Sequence, residues 1–253
     1  MFPIGDDLPM LRRPWATYGL LLTLLAVWVL FQGAGLNHEW LAATACNWGM
    51  LPGEITHLAK IGTGFQVGPE AYCLVDNSPN NVLTPLTSMF LHGSWGHLLS
   101  NSLFLYVFGK SVEDSMGRVR FIALYLLCGL AAAAAHIAVD PSSPIPTVGA
   151  SGAIAGMLGT YLGLYPRARV RMLFIFFFLI RVFSLPAFFV LLWWAGMQVL
   201  GGLPQLTSLN PEVSAGIAFW AHVGGFVAGL LLAWLFADRQ KVERRRAWRR
   251  QYA

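Results

Sequence analysis

Charge is scarce in this chain. Of its 253 residues only 11% are Asp, Glu, Lys or Arg, while 56% are hydrophobic; a soluble domain usually carries about a quarter charged. The deficit excludes an ordinary soluble globule, and the apolar runs read as one polytopic membrane domain. Cysteine is scarce too: three residues, in no CxxC or Cys/His spacing that would hold zinc. Cys128 reads as a small packed residue inside an apolar run. Cys46 and Cys73 share the first long loop and can pair if that loop faces an oxidising compartment. HExxH is missing, and His92 and His97 lie five apart, which argues against a zinc site. GxSxG is missing as well, because Ala153 stands where the last glycine would be. No cofactor or metal is expected. Nor does a cleavable signal peptide show itself, since the apolar run after Arg12-Arg13 is as long as a span and lacks a convincing cleavage site.

What is present is a succession of apolar runs. The pattern predicts an all-α membrane protein, a six-transmembrane helix bundle with a long first extramembrane loop. Residues 1–14 read as a short cytoplasmic tail, 15–237 as the six-span domain and 238–253 as a basic cytoplasmic tail. The spans are placed at about Trp15–Phe31, Trp95–Phe108, Phe121–Val139, Ser151–Tyr165, Leu185–Leu203 and Ile217–Ala237. The loop of residues 33–90 holds Trp40, Trp48, Met50, Leu51 and Ile55, which suit either an amphipathic interfacial segment or a folded extramembrane loop. Residues 172–183 read as a hairpin or an interfacial segment. The fourth span is short, about 15 residues or ~22 Å, against a hydrocarbon core of ~30 Å. Its N-terminus must therefore start below the membrane surface, in protein or a water-filled cavity.

Basic residues fix the orientation. Arg12 and Arg13, the segments after spans two and four, and the C-terminal tail hold 15 of the 17 Lys and Arg. With both termini cytoplasmic, six spans satisfy the positive-inside rule and seven do not. The expected location is a multi-pass protein of the bacterial inner membrane. The net charge of +5 does not imply nucleic-acid binding, because the basic residues sit at helix ends and on a tail that suits anionic lipid. The expected partners are the lipid bilayer and transmembrane substrates, and the oligomeric state stays open.

Depth follows from direction. Spans two, four and six all run from outside to inside, so His97 and Asn101, Ser151, and His222 fall at one level below the outer surface. Each alone has a plain explanation: a membrane serine usually bonds its own backbone, and a polar pair can simply glue helices. Together they form a constellation able to do nucleophilic chemistry, a hydroxyl, a base and polar donors in a place where polar groups are costly. Gly152 and Gly156, and Gly225 and Gly229, are small-xxx-small pairs that allow close helix approach; Gly225 lies three residues after His222, on the same face. His136 and Asp140 can pair with each other or cap the third span. Intramembrane acidic residues and an inverted repeat are not evident, which disfavours a transporter.

These residues resemble the rhomboid family of intramembrane serine proteases. His92-x4-His97-x3-Asn101 resembles the family's element on span two, Glu113-x3-Gly117 the one that follows it, Gly149-Ala150-Ser151-Gly152 the GxSG nucleophile motif, and His222-x2-Gly225-x3-Gly229 the element on span six. The resemblance covers about residues 80–237. It implies Ser151 as nucleophile, His222 as general base, and His97, Asn101 and the Ser151 backbone N–H as oxyanion hole, with His92 structural. It also implies cleavage of transmembrane substrates; a non-catalytic rhomboid-like binder of transmembrane clients is the second reading. Two departures stand out. Ala155 replaces the aromatic that stacks on the base in some members, and the Trp-Arg pair common in the first loop is not evident.

Overall fold

A computed structural model describes residues 2–67, 71–176, 178–207 and 218–252. In chain order the elements are β1 (Phe2–Asp6), α1 (Trp15–Ala26, extended by a π turn over Val27–Phe31), α2 (His38–Trp48), α3 (Pro52–Thr56), β2 (Gly64–Gln66), β3 (Tyr72–Leu74), α4 (Thr84–Thr87), α5 (Trp95–Phe104), α6 (Lys110–Met116), α7 (Arg118–Val139), α8 (Ser151–Leu164), β4 (Arg169–Phe176), β5 (Leu179–Pro186), α9 (Ala187–Thr207), α10 (Phe219–Phe236) and α11 (Arg239–Tyr252). Among the described residues three helices are long and apolar enough to cross a membrane: Arg118–Val139, Ala187–Leu206 and Phe219–Phe236. Trp15–Phe31 and Ser151–Leu164 are shorter apolar helices. Ile217, the expected start of the last span, lies outside the described residues.

Helix α8 is the axis of the bundle. It is buried from Gly152 through Leu162, and α7 and α10 pack directly against it. Glycine makes that possible. A Cβ added at Gly225 would run into the Gly152 carbonyl, one at Gly229 into the Gly156 carbonyl, and one at Gly159 into the Phe226 carbonyl. The two backbones therefore touch, as the small-residue pairs required.

The second expected span is longer than its hydropathy suggested. A π turn over Leu105–Gly109 joins α5 to α6, so helical backbone continues to Met116. Its two carboxylates, Glu113 and Asp114, are buried rather than looped out. Glu113 (3% exposed) accepts from the Ala16 and Thr17 backbone N–H groups at 3.0 and 2.7 Å and from the Thr17 hydroxyl at 2.8 Å. It thereby satisfies the orphan amides at the start of α1, whose own N-cap, Pro14, offers no side chain for the purpose. Gly117, with φ +91°, turns the chain out of α6 into α7.

The chain is mostly helical but not all-α. The expected hairpin after the fourth span is a β-hairpin, registered Arg169↔Pro186 through Phe176↔Leu179, and β1 joins its other edge antiparallel to give the order β1-β4-β5. The sequence Arg169-Val170-Arg171-Met172 alternates exposed and buried, the period-two signature of a half-covered strand. Residues 2–6 are thus part of a sheet, although they read as a tail. The first loop is folded: α2 is tied to β3 by a Cys46–Cys73 disulfide with Cα atoms 5.1 Å apart.

Residues 239–252 also pack back onto the bundle. Arg245 is fully buried, 3.6 Å from the Asp114 carboxylate, and donates to the carbonyls of Pro9 and Ser111. Arg249 pairs with Asp7 at 2.6 Å. Arg244 and Arg250 stay exposed. Breaking a buried ion pair from one side typically costs about 3–5 kcal/mol. Arg245→Met should accordingly lower the melting temperature in detergent by several degrees; an unchanged melting temperature would mean the helix is only loosely attached.

Candidate functional site

Three helix starts converge on one cavity. His97 is in the first turn of α5, Ser151 is the first residue of α8, and His222 is in the first turn of α10. Each start has a local cause. Ser94 caps α5 by accepting the His97 backbone N–H at 3.1 Å. Gly149 turns the chain into α8 with φ +136°, a conformation that favours glycine, and a Cβ there would also collide with the His97 ring. The approach to Ser151 is held by reciprocal backbone bonds between Met50 and Thr147 (3.0 and 2.8 Å) and by Gly149 N–H donating to the Ser88 carbonyl at 2.8 Å. The first loop and the serine-bearing turn are therefore one fixed unit.

The expected site residues meet as follows. Ser151 Oγ lies 2.8 Å from His222 Nε2, within hydrogen-bond distance. Their separation of 71 residues is closed by the glycine contacts between α8 and α10 described above. His97 and Asn101 line the same cavity of about 1050 Å³, with Gly149, Gly152, His136 and Asp140. Asn101 Nδ2 is 3.0 Å from His92 Nε2, and the His92 and His97 rings meet edge-on at 5.1 Å between centroids. An amide has two donor hydrogens, so the bond to His92 fixes Asn101 and leaves the other hydrogen uncommitted by it. His136 and Asp140 both stand at the C-terminus of α7, where the Asp140 backbone N–H donates to the His136 carbonyl, while the His136 ring is bonded to Thr147 at 3.0 Å, in the turn before Ser151.

Three side chains matter here that sequence reasoning passed over. Gln32, fully buried, makes two 2.8 Å bonds with the His92 backbone, donating to its carbonyl and accepting its N–H. It anchors the turn before α5 to the end of the first helix. Gln198 Oε1 lies 2.7 Å from His222 Nδ1, and the Trp194 ring lies beside the His222 ring at 5.9 Å between centroids with a tilt of 37°. Both stand on α9 and hold the imidazole from the side. An aromatic ring thus meets the His222 ring from α9, while residue 155 on α8 is alanine. A glutamine in an apolar run was the available signal for Gln198; which helix it faced was not.

A serine hydroxyl bonded to an imidazole, itself bonded on its far nitrogen, in the lining of a cavity that also holds His97 and Asn101, is an arrangement suited to general-base activation of a nucleophile. Comparison with known proteins agrees on the family. The Rhomboid domain model matches residues 79–239. Over 157 residues the chain is 30% identical to rhomboid-like protein 11, chloroplastic, of Arabidopsis thaliana, covering 60% of this chain and 51% of that one. Over 160 residues it is 29% identical to the putative rhomboid protease YdcA of Bacillus subtilis, covering 63% and 69%. The rhomboid protease GluP, also from Bacillus subtilis, is 42% identical over 77 residues, 30% of this chain and 15% of that one. The chain thus spans about half the length of the chloroplast relative and somewhat more than two thirds of YdcA. The matched region contains the converging starts of α5, α8 and α10, and the chain that carries them belongs to the rhomboid family.

Proposed function

We propose that the chain is an intramembrane serine endopeptidase that cleaves transmembrane segments of membrane proteins through a Ser151–His222 dyad. The observation that carries this is the 2.8 Å contact between Ser151 Oγ and His222 Nε2 inside a membrane helix bundle. In the first half-reaction Ser151 Oγ attacks the scissile carbonyl carbon as its proton passes to His222 Nε2. The tetrahedral oxyanion is held by the Ser151 backbone N–H, an amide with no intrahelical partner at the start of α8, and by His97 and Asn101. The imidazolium returns its proton to the leaving amine as the C–N bond breaks. Water, deprotonated by His222, then releases the acyl group. The cavity, with His97, Asn101 and Ser100 in its lining, gives water polar partners, and a substrate must unwind locally, because a helical carbonyl is already hydrogen-bonded.

The experiment is labelling with a serine-directed fluorophosphonate, run beside cleavage of a single-span substrate in detergent. Wild type should label and cleave; a rhomboid-like binder of transmembrane clients would do neither.

Six spans with both termini on the cytoplasmic side accompany this reading, from the Lys and Arg asymmetry. The relatives include chloroplast and mitochondrial proteins as well as Bacillus subtilis ones, and so do not select the bacterial inner membrane. A cysteine introduced at Trp248 should be labelled only from the cytoplasmic face; labelling from the outer face would overturn the orientation.

A further inference from the structure

We infer that Gln198 is a positioning residue for the base: through its amide oxygen it selects the tautomer of His222 and steadies the imidazolium formed when Ser151 is activated. The inference rests on the dyad reading above and adds a third group to it.

Two contacts fix which end of the amide faces the histidine. Gln198 Nε2 donates to the Trp194 carbonyl one turn earlier, at 3.4 Å, and Oε1 faces His222 Nδ1 at 2.7 Å. An amide oxygen only accepts, so Nδ1 must carry the hydrogen. A neutral imidazole has one such hydrogen, which leaves Nε2 with its lone pair toward Ser151 Oγ, the state a general base needs. Trp194 and Gln198 are four apart on α9, as His222 and Phe226 are on α10; the Trp194 ring contacts both rings of that α10 face, the second at 6.0 Å. The imidazole is thus held by one hydrogen bond at its edge and one ring beside it. Once His222 takes the serine proton, the same oxygen accepts a bond from a cation, which is stronger than the bond from the neutral ring. A carboxylate in this position would do so with a full charge; an amide does it without placing an anion in the bundle.

Among the described residues the ionisable groups that act on His222 from other elements are His97 on α5 and His136 on α7, and Asp140 lines the same cavity. Neither Gln198→Met nor Gln198→Glu alters these, so movement of the acid limb of the rate–pH profile reports on residue 198. Methionine has a similar shape and offers the imidazolium no amide oxygen. Its turnover should fall about 10–10²-fold, as for a base free to shift by ~1 Å, and its acid limb should move to lower pH by about one unit, because the protonated form has lost an acceptor. Glutamate restores the acceptor with a negative charge and should recover much of the rate, with the limb displaced to higher pH.

The measurement is kcat and KM against pH for a transmembrane substrate in detergent, with the melting temperature of each variant. Acid limbs moving in opposite directions support the assignment. If both variants fold and their limbs stay at the wild-type position, Gln198 is only a packing residue and the inference fails, whatever the rates. Should the methionine variant not fold, the glutamate limb decides alone. An inert wild type that also resists fluorophosphonate would sink the dyad reading and this inference with it, whereas a labelled wild type with unmoved limbs sinks the inference only.

Discussion

Ser151→Ala and His222→Ala should each take cleavage of a transmembrane substrate below detection, and the double variant should be no worse than either. The two groups act as a unit: without the hydroxyl there is nothing to deprotonate, and without the imidazole the hydroxyl stays a weak nucleophile. In hydrolases built on such units, loss of one member lowers kcat by on the order of 10⁴–10⁶, and combined losses do not multiply. The 2.8 Å contact makes the same coupling the expectation here. Asn101→Ala should differ in kind, slowing turnover by roughly 10²–10³ without abolishing it, because in the proposed mechanism the Ser151 N–H and His97 still serve the oxyanion. Specific activities of the purified variants, with circular dichroism to show retained helix, check this. Substantial proteolysis by Ser151→Ala would remove the serine from the mechanism.

Gly225→Val should lose activity further than its stability predicts. The valine would drive a side chain into the Gly152 carbonyl, one residue from the nucleophile and one helical turn from His222. Relief requires α10 to back away from α8, which lengthens the Ser151–His222 bond. A displacement of ~1 Å at such a contact can cost about 10² in rate, while overpacking of this kind usually costs about 1–3 kcal/mol. Gly229→Val would meet the Gly156 carbonyl just as directly, a turn further from the histidine, so it should destabilise strongly with a smaller effect on the rate of the folded fraction. Specific activity beside melting temperature separates the two. Near-wild-type activity in Gly225→Val would show that backbone contact between α8 and α10 does not set the dyad geometry.

How much of this was legible depended on whether the signal was local. Hydropathy marked the apolar helices because lipid demands long runs with every backbone group paired internally. It missed β1 because five residues carry no such run; their partner, β4, lies more than 160 positions away. It ended the second span at Phe108 because charge normally stops a membrane helix, and the partners that let Glu113 and Asp114 be buried lie on α1 and α11. The tail is a similar case: its seven basic residues read as an anchor to anionic lipid, and the carboxylates that hold two of them, Asp114 and Asp7, lie more than a hundred positions away.

The amino-acid sequence by itself marked the chain as a membrane protein and showed which apolar runs carry polar side chains; through helix direction it led to the expectation that Ser151, His222, His97 and Asn101 lie near one another, and these four line one cavity. Those readings follow from composition and periodicity, properties of contiguous residues. The tertiary structure alone decided that the serine and histidine are in hydrogen-bond contact, that Asn101 is bonded to His92, and that Gln198 and Trp194 contact the His222 ring. Each depends on the rotation of one helix about its axis relative to another. That rotation is set by side-chain and glycine packing summed over the whole interface, and no short stretch of sequence encodes it.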